Sequence, residues 1–343
     1  MYNIILEESP ERLLGLMMGC GSFVTAAAPA IGPTFGGIMT QYFTWRYIFI
    51  CVLPVIVLAS FIGYFCMSEQ IINKHEKFDL LSFIAVALAF VSLIMGFSNL
   101  NQIVDDLVFV LGCFIIGIIS LYYFTKRQLH IKNSLIRIEI FNHKGFTFHT
   151  LAIMFLQMTT LGYGLLLPTF VQIVLKQPAT DAGVVLLPGA IVGAVFAPIG
   201  GLILDRLGAK KPIVLGLCCS FIATFCFLFF FKNLTYQSCI LFYFIYSLGI
   251  GLIVGNTMTS AMSHLPKNLQ ADGNATLQTL MQLSGGIGTS ITATILAFVQ
   301  QGTNLYDGTN RGALFVLIFL MFNINIVILS QYFAFKGGKK NEF

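Results

Sequence analysis

The chain has 343 residues, 57% of them hydrophobic and only 10% charged, with a formal net charge of +5. Soluble domains carry about 25% charged residues, so a mean hydropathy of +0.86 excludes a water-soluble globule and makes lipid the solvent. The eight cysteines sit inside apolar runs with no C-x-x-C pair, and no histidine lies at zinc-finger distance, which excludes a disulfide scaffold and a zinc module.

A membrane-crossing helix needs about 20 largely apolar residues. Before the first such segment stands a six-residue apolar stub, residues 1–6, too short for a signal-peptide core. It reads as the end of a helix that begins elsewhere. Ten spans then follow in order: 13–40, 45–67, 80–99, 107–125, 146–175, 182–204, 212–231, 238–259, 275–299 and 312–335. Short polar loops with turn residues separate them. The predicted class is an all-α polytopic membrane protein.

Orientation follows lysine and arginine rather than net charge. If residues 7–12 are cytoplasmic, 15 of the 19 basic residues fall in inner segments. Arg46, Lys176, Lys232 and Arg311 are the four in outer loops. A miscounted span would scatter this bias, so both ends of the chain are expected in the cytoplasm. The most basic segment, 126–145, separates four spans from six and is expected to be a domain boundary. Either topology alone or anionic lipid accounts for its charge.

The first span carries Ala28-Pro29-Ala30-Ile31-Gly32-Pro33-Thr34-Phe35-Gly36-Gly37. Pro29 and Pro33 each remove a helix hydrogen bond. Gly32 and Gly36, four apart, share a face on which another backbone can approach. The string suits either a hinge between bundles or an ordinary packing seam. Between the sixth and seventh spans runs Gly201-Leu202-Ile203-Leu204-Asp205-Arg206-Leu207-Gly208-Ala209-Lys210-Lys211. Asp205 is expected near the amino end of the following helix, where the helix dipole favours an anion. In the ninth span Gln278 and Gln282 share a face. Amides are costly against lipid, so they either bond neighbouring helices or line a cavity.

These strings resemble one family in its own order. The first is similar to the antiporter motif G-x-x-x-G-P-x-x-G-G of drug exporters of the major facilitator superfamily, with Gly32-Pro33 and Gly36-Gly37 matching and Ala28 in place of the first glycine. Arg12 and Gly15 before it, and Trp45-Arg46-Tyr47-Ile48-Phe49 after it, resemble the 14-helix branch. The second is similar to the loop signature G-x-L-A-D-R-x-G-R-K, matching at Gly201, Asp205, Arg206, Gly208 and Lys210, with Leu204 and Ala209 as departures. Leu167-Pro168, Gln172, Ala182-Gly183 and Leu187-Pro188-Gly189 resemble the same branch, as does Gly273-Asn274-Ala275 with Gly285, Gly286, Gly288 and Thr289.

The resemblance implies the major facilitator fold, with about ten of a probable fourteen helices. Residues 1–67 would end the N-terminal bundle, 68–125 would be two linking helices, 126–145 the cytoplasmic loop and 146–343 the six-helix C-terminal bundle. It implies multidrug efflux by proton antiport, without a bound cofactor, in a bacterial cell membrane. The implied partners are the bilayer, hydrophobic or cationic drugs, and the helices preceding the antiporter motif in a full-length parent. Pro29, Gly32, Pro33, Gly36 and Gly37 would form the hinge, and the loop signature would latch the inward gate. Arg12 would act in conformational change, and Gln172, Gln278 and Gln282 would line the cavity. No carboxylate is expected at mid-membrane, where a proton carrier would sit, so a non-transporting fragment stays open beside the exporter. The glycine–proline motif argues against a solute uptake carrier. No phosphate loop points to ATP, no nucleophile elbow to hydrolysis, and nothing to nucleic acid or a metal.

Overall fold

In lipid every backbone polar group must be satisfied within the segment, and a helix does this alone. The computed structural model realises that rule. It describes residues 13–66, 79–102, 106–131 and 136–338, with Ile5, Ser9 and Pro10 near the amino end. The described helices are α1 (Leu14–Tyr42), α2 (Arg46–Cys66), α3 (Leu80–Ser98), α4 (Leu107–His130), α5 (Lys144–Ile173), α6 (Ala179–Val184), α7 (Leu187–Leu207), α8 (Lys210–Phe229), α9 (Tyr236–Ser263), α10 (Lys267–Gln300) and α11 (Leu305–Gly338). Among the described residues no strand occurs. Among the described residues nine helices are long and apolar enough to cross a membrane, with α6 and α7 counted as one. The 29-residue α1 spans about 43 Å at 1.5 Å per residue, long enough for a tenth crossing.

Several ends differ from expectation. The sixth span starts at Ala179 and is interrupted at residues 185–186. The break precedes Pro188, which has no N–H to donate to the carbonyl of Val184. The helix α4 continues through Lys126 and Arg127 to His130, and a 3₁₀ turn at Ile138–Asn142 precedes α5, so much of the segment 126–145 is ordered helix and turn. Both α10 and α11 extend beyond the apolar stretches, because polar residues outside the hydrocarbon still satisfy a helix.

Caps fix several starts. Asp79 accepts from the Ser82 N–H (3.4 Å), Asp106 from the Phe109 N–H (3.2 Å), and Thr235 and Ser238 form a reciprocal capping box at α9. Asp79 also takes a bidentate ion pair from Arg127, both bonds at 3.0 Å, which ties the start of α3 to the end of α4. The Arg127 guanidinium holds the Asp79 carboxyl down at about 2, with the Ser82 hydroxyl assisting.

The helices α5, α7, α8, α9, α10 and α11 form the packed body: α11 lies on α5, α9 on both α7 and α8, and α10 on α5. One core cluster centres on Tyr163, Tyr246 and Phe227, all fully buried. A second gathers Ile140, Phe146, Met258 and Met262 around Met18, the only α1 residue in it that is fully buried. The α3–α4 hairpin rests on α10 through α3, where Thr294 Oγ1 donates to the Phe97 carbonyl at 2.8 Å. By contrast, none of residues 46–65 in α2 is buried.

Candidate functional site

The structure packs the helices that carry the two motifs against each other: the loop signature meets Gly15 and Leu16 at the start of α1, and the antiporter string meets α6. Helix α1 runs antiparallel to α6 and α7 along a seam of small residues. A Cβ added at Gly201 would collide with the Gly15 carbonyl oxygen, and one at Gly19 would stand 2.7 Å from the Ala197 carbonyl oxygen. Towards the other end, a Cβ at Gly37 would stand 2.6 Å from the Ala179 carbonyl oxygen, and one at Gly183 would strike the Pro33 carbonyl. Only glycine allows two backbones this close, as in helix pairs packed through small residues.

Polar contacts close the seam at both ends. At the basic end, Asp205 Oδ1 accepts from the Gly15 N–H at 2.9 Å and Oδ2 from the Leu16 N–H at 3.0 Å. These are first-turn amides of α1, whose own N-cap residue, Leu13, supplies no side-chain cap. The carboxylate therefore caps α1 from 190 residues away, meeting both unsatisfied N–H groups and the positive end of the dipole. Near the middle of the seam's far half, Thr34 Oγ1 donates to the Gly183 carbonyl at 3.2 Å. At the far end, Gln41 Oε1 accepts from the Thr180 N–H at 3.0 Å and from the Thr180 hydroxyl.

Two expectations need correction. Asp205 does not cap the following helix, α8. It lies in the last turns of α7, and Gly208, with φ of 80°, reverses the chain before Lys210 begins α8. The motif spacing fixed the turn but could not show which helix end lay nearest in space. Second, Gly32 and Gly36 do not meet another backbone: a Cβ at either position finds no atom within 4 Å. The close face carries Pro33 and Gly37 instead, because a helix of 3.6 residues per turn turns Gly32 and Gly36 away from α7. The backbone of α1 is helical through both Pro29 and Pro33. Arg12 lies outside the described residues.

The other candidates spread out. Among the described residues Arg206, Lys210 and Lys211 make no ion pair. Gln172 and Gln282 are exposed, and the Gln278 amide nitrogen is buried with no acceptor. Among the described residues neither Gln278 nor Gln282 makes the interhelical bond expected as one alternative.

Sequence reasoning missed a buried polar file in the helical body. His149 is fully buried, with Nε2 3.0 Å from Ser260 Oγ and its ring 5.4 Å from that of His264. Gln331 donates to Thr257 Oγ1 at 3.1 Å, and the Tyr163 hydroxyl to Thr224 Oγ1 at 3.0 Å. The signal available was polar residues recurring inside apolar runs, where lipid exposure would be costly.

The model of the family described as Major Facilitator Superfamily matches residues 1–289, across the antiporter string, the loop signature and most of α10. The chain belongs to the major facilitator superfamily. It is similar to the lincomycin resistance protein LmrB of Listeria monocytogenes, at 31% identity over 312 residues, covering 91% of this chain and 66% of that protein. With LmrB of Bacillus subtilis it shares 32% over 303 residues, covering 87% and 62%. With the tetracenomycin C resistance and export protein of Streptomyces glaucescens it shares 24% over 294 residues, covering 84% and 54%. The chain thus spans just under two thirds of the length of the LmrB relatives. Membership makes it a multi-pass membrane protein of a carrier family rather than an enzyme.

Proposed function

We propose that the protein acts in secondary-active multidrug efflux by proton antiport, and that the α1–α7 seam is its gate. The observation that carries this is the Asp205 carboxylate on the Gly15 and Leu16 amides. It joins the loop signature that resembles a gate latch to the start of the helix that carries the antiporter string. A rocking carrier needs contacts of this kind, strong when closed and breakable as a unit. Relatives named for resistance to lincomycin and export of tetracenomycin C support hydrophobic or cationic drugs as the substrate class. The positive-inside bias supports a topology in which Asp205 and both ends of the chain face the cytoplasm of a bacterial cell. In this reading α1 and α2 belong to one bundle and α5–α11 to the other, with Gln172, Gln278 and Gln282 facing the drug path and the proton gradient supplying the energy.

The test is drug uptake into everted vesicles from cells making the protein. Uptake should follow an imposed pH gradient and collapse with an ionophore. Asp205→Asn keeps one acceptor but removes the charge that meets two amides and a dipole. A charge-assisted hydrogen bond is worth about 1.5–3 kcal/mol and its loss in part about half of that, so uptake should fall roughly 4- to 13-fold at equal expression. Uptake indifferent to the gradient, or equal in Asp205→Asn, would sink the proposal.

A further inference from the structure

A cavity of about 660 Å³ lies between α8 and α11, away from the α1–α7 seam. Its walls are Val214, Cys218, Phe221 and Ile222 along α8, and Ile328 and Phe335 along α11. Val214 and Ile222 are exposed, so the space is a trough on the outer surface of the bundle rather than a chamber inside it. The volume lies within the range of built ligand sites, about 300–1,000 Å³.

The charge of the trough is one-sided. Lys210 opens α8, Lys336 stands in the last turn of α11, and both line the same cavity at the same end of the bundle. No acidic residue lines it among the described residues. The α8 amino end has no side-chain cap, which adds the positive end of a helix dipole to the two ammonium groups. From Lys210 to Ile222 the α8 wall rises about 18 Å. That is close to half of the roughly 30 Å hydrocarbon core, the depth of one leaflet.

We propose that this trough binds an anionic phospholipid, its phosphate between Lys210 and Lys336 and one acyl chain lying against Val214, Phe221, Ile222 and Ile328. A free phosphate would use the lysines and leave the apolar wall empty. A neutral lipid would use the wall and leave two cations unmatched. An anionic lipid uses both, and the leaflet-deep wall matches its length. Cationic recesses between spanning helices at the basic face are the usual seats of such head groups.

The full-length chain, purified in mild detergent, is offered phosphatidylglycerol and phosphatidylcholine with identical acyl chains, and the retained lipids are counted by native mass spectrometry. Wild type should retain phosphatidylglycerol preferentially. Lys210→Gln and Lys336→Gln should each lower its retention about fivefold, and the pair roughly 30-fold. Both lysines are solvent-facing, so the fold survives, and circular dichroism confirms it. Lys232→Gln, at the opposite end, should leave the preference intact. Val214→Trp, which fills the trough, should lower retention of both lipids. An unchanged preference in the double lysine variant would overturn the site. So would equal retention of the two lipids by wild type, or complete displacement of phosphatidylglycerol by equimolar inorganic phosphate, which would leave an anion site without a lipid.

Discussion

A methyl group placed at Gly201 should pry α1 from α7, and the same methyl at Gly32 should do nothing. At Gly201 the added Cβ meets the Gly15 backbone carbonyl, which has no rotamer to escape into. The helices must separate by about an ångström, which also draws the Asp205 carboxylate from its 2.9 and 3.0 Å bonds. Overpacking a tight contact costs about 1–3 kcal/mol. If that cost falls on the closed seam alone, the closed-to-open ratio drops roughly 5- to 150-fold. At Gly32 the Cβ enters open space. The assay is maleimide labelling of a cysteine placed at Ala197, which is buried beneath Gly19, in a background without the native cysteines. Gly201→Ala should raise the labelling rate at least fivefold, and Gly32→Ala should leave it unchanged. Equal rates in the two variants, or a faster rate in Gly32→Ala, would refute the seam as drawn.

Three further outcomes follow from other contacts. The Asp79 carboxyl is held near 2 against an ordinary 3.8, so its ion pair with Arg127 contributes fully above about pH 4 and is lost as pH falls through 2; the thermal stability gap between wild type and Asp79→Asn should be flat from pH 5 to 8 and narrow only below 4. Tyr163→Phe removes the donor to Thr224, which keeps its own bond to the Ser220 carbonyl at 2.9 Å; stability to denaturing detergent should fall by about 0.6 kcal/mol, the mean for such bonds in membrane proteins, and a loss above 2 would mean the file is coupled. A cysteine at exposed Lys144 should react with an impermeant thiol reagent only in everted vesicles and one at exposed Lys232 only in intact cells, and the reverse pattern would invert the topology.

What the sequence determined by itself was everything governed by local chemistry. Charge scarcity set the solvent, and the length of each apolar run set the crossings, because a helix in lipid satisfies its backbone without help from neighbours. Gly208 marked the reversal after α7 because its φ of 80° is strained for other residues. The antiporter string and the loop signature were legible as motifs before any contact was known. Their partners were not. That Asp205 caps α1 rather than α8 depends on which helix end arrives beside it across 190 residues, and chain spacing carries no record of that. Which glycines close the seam depends on the rotation of α1 about its axis. Gly15, Gly19 and Gly37 lie on the packed side and Gly32 and Gly36 on the open one, although all five look alike in the sequence. The burial of His149 likewise depends on α9 and α11 closing over α5. Burial belongs to the packing of several helices at once, so only the tertiary structure could decide it.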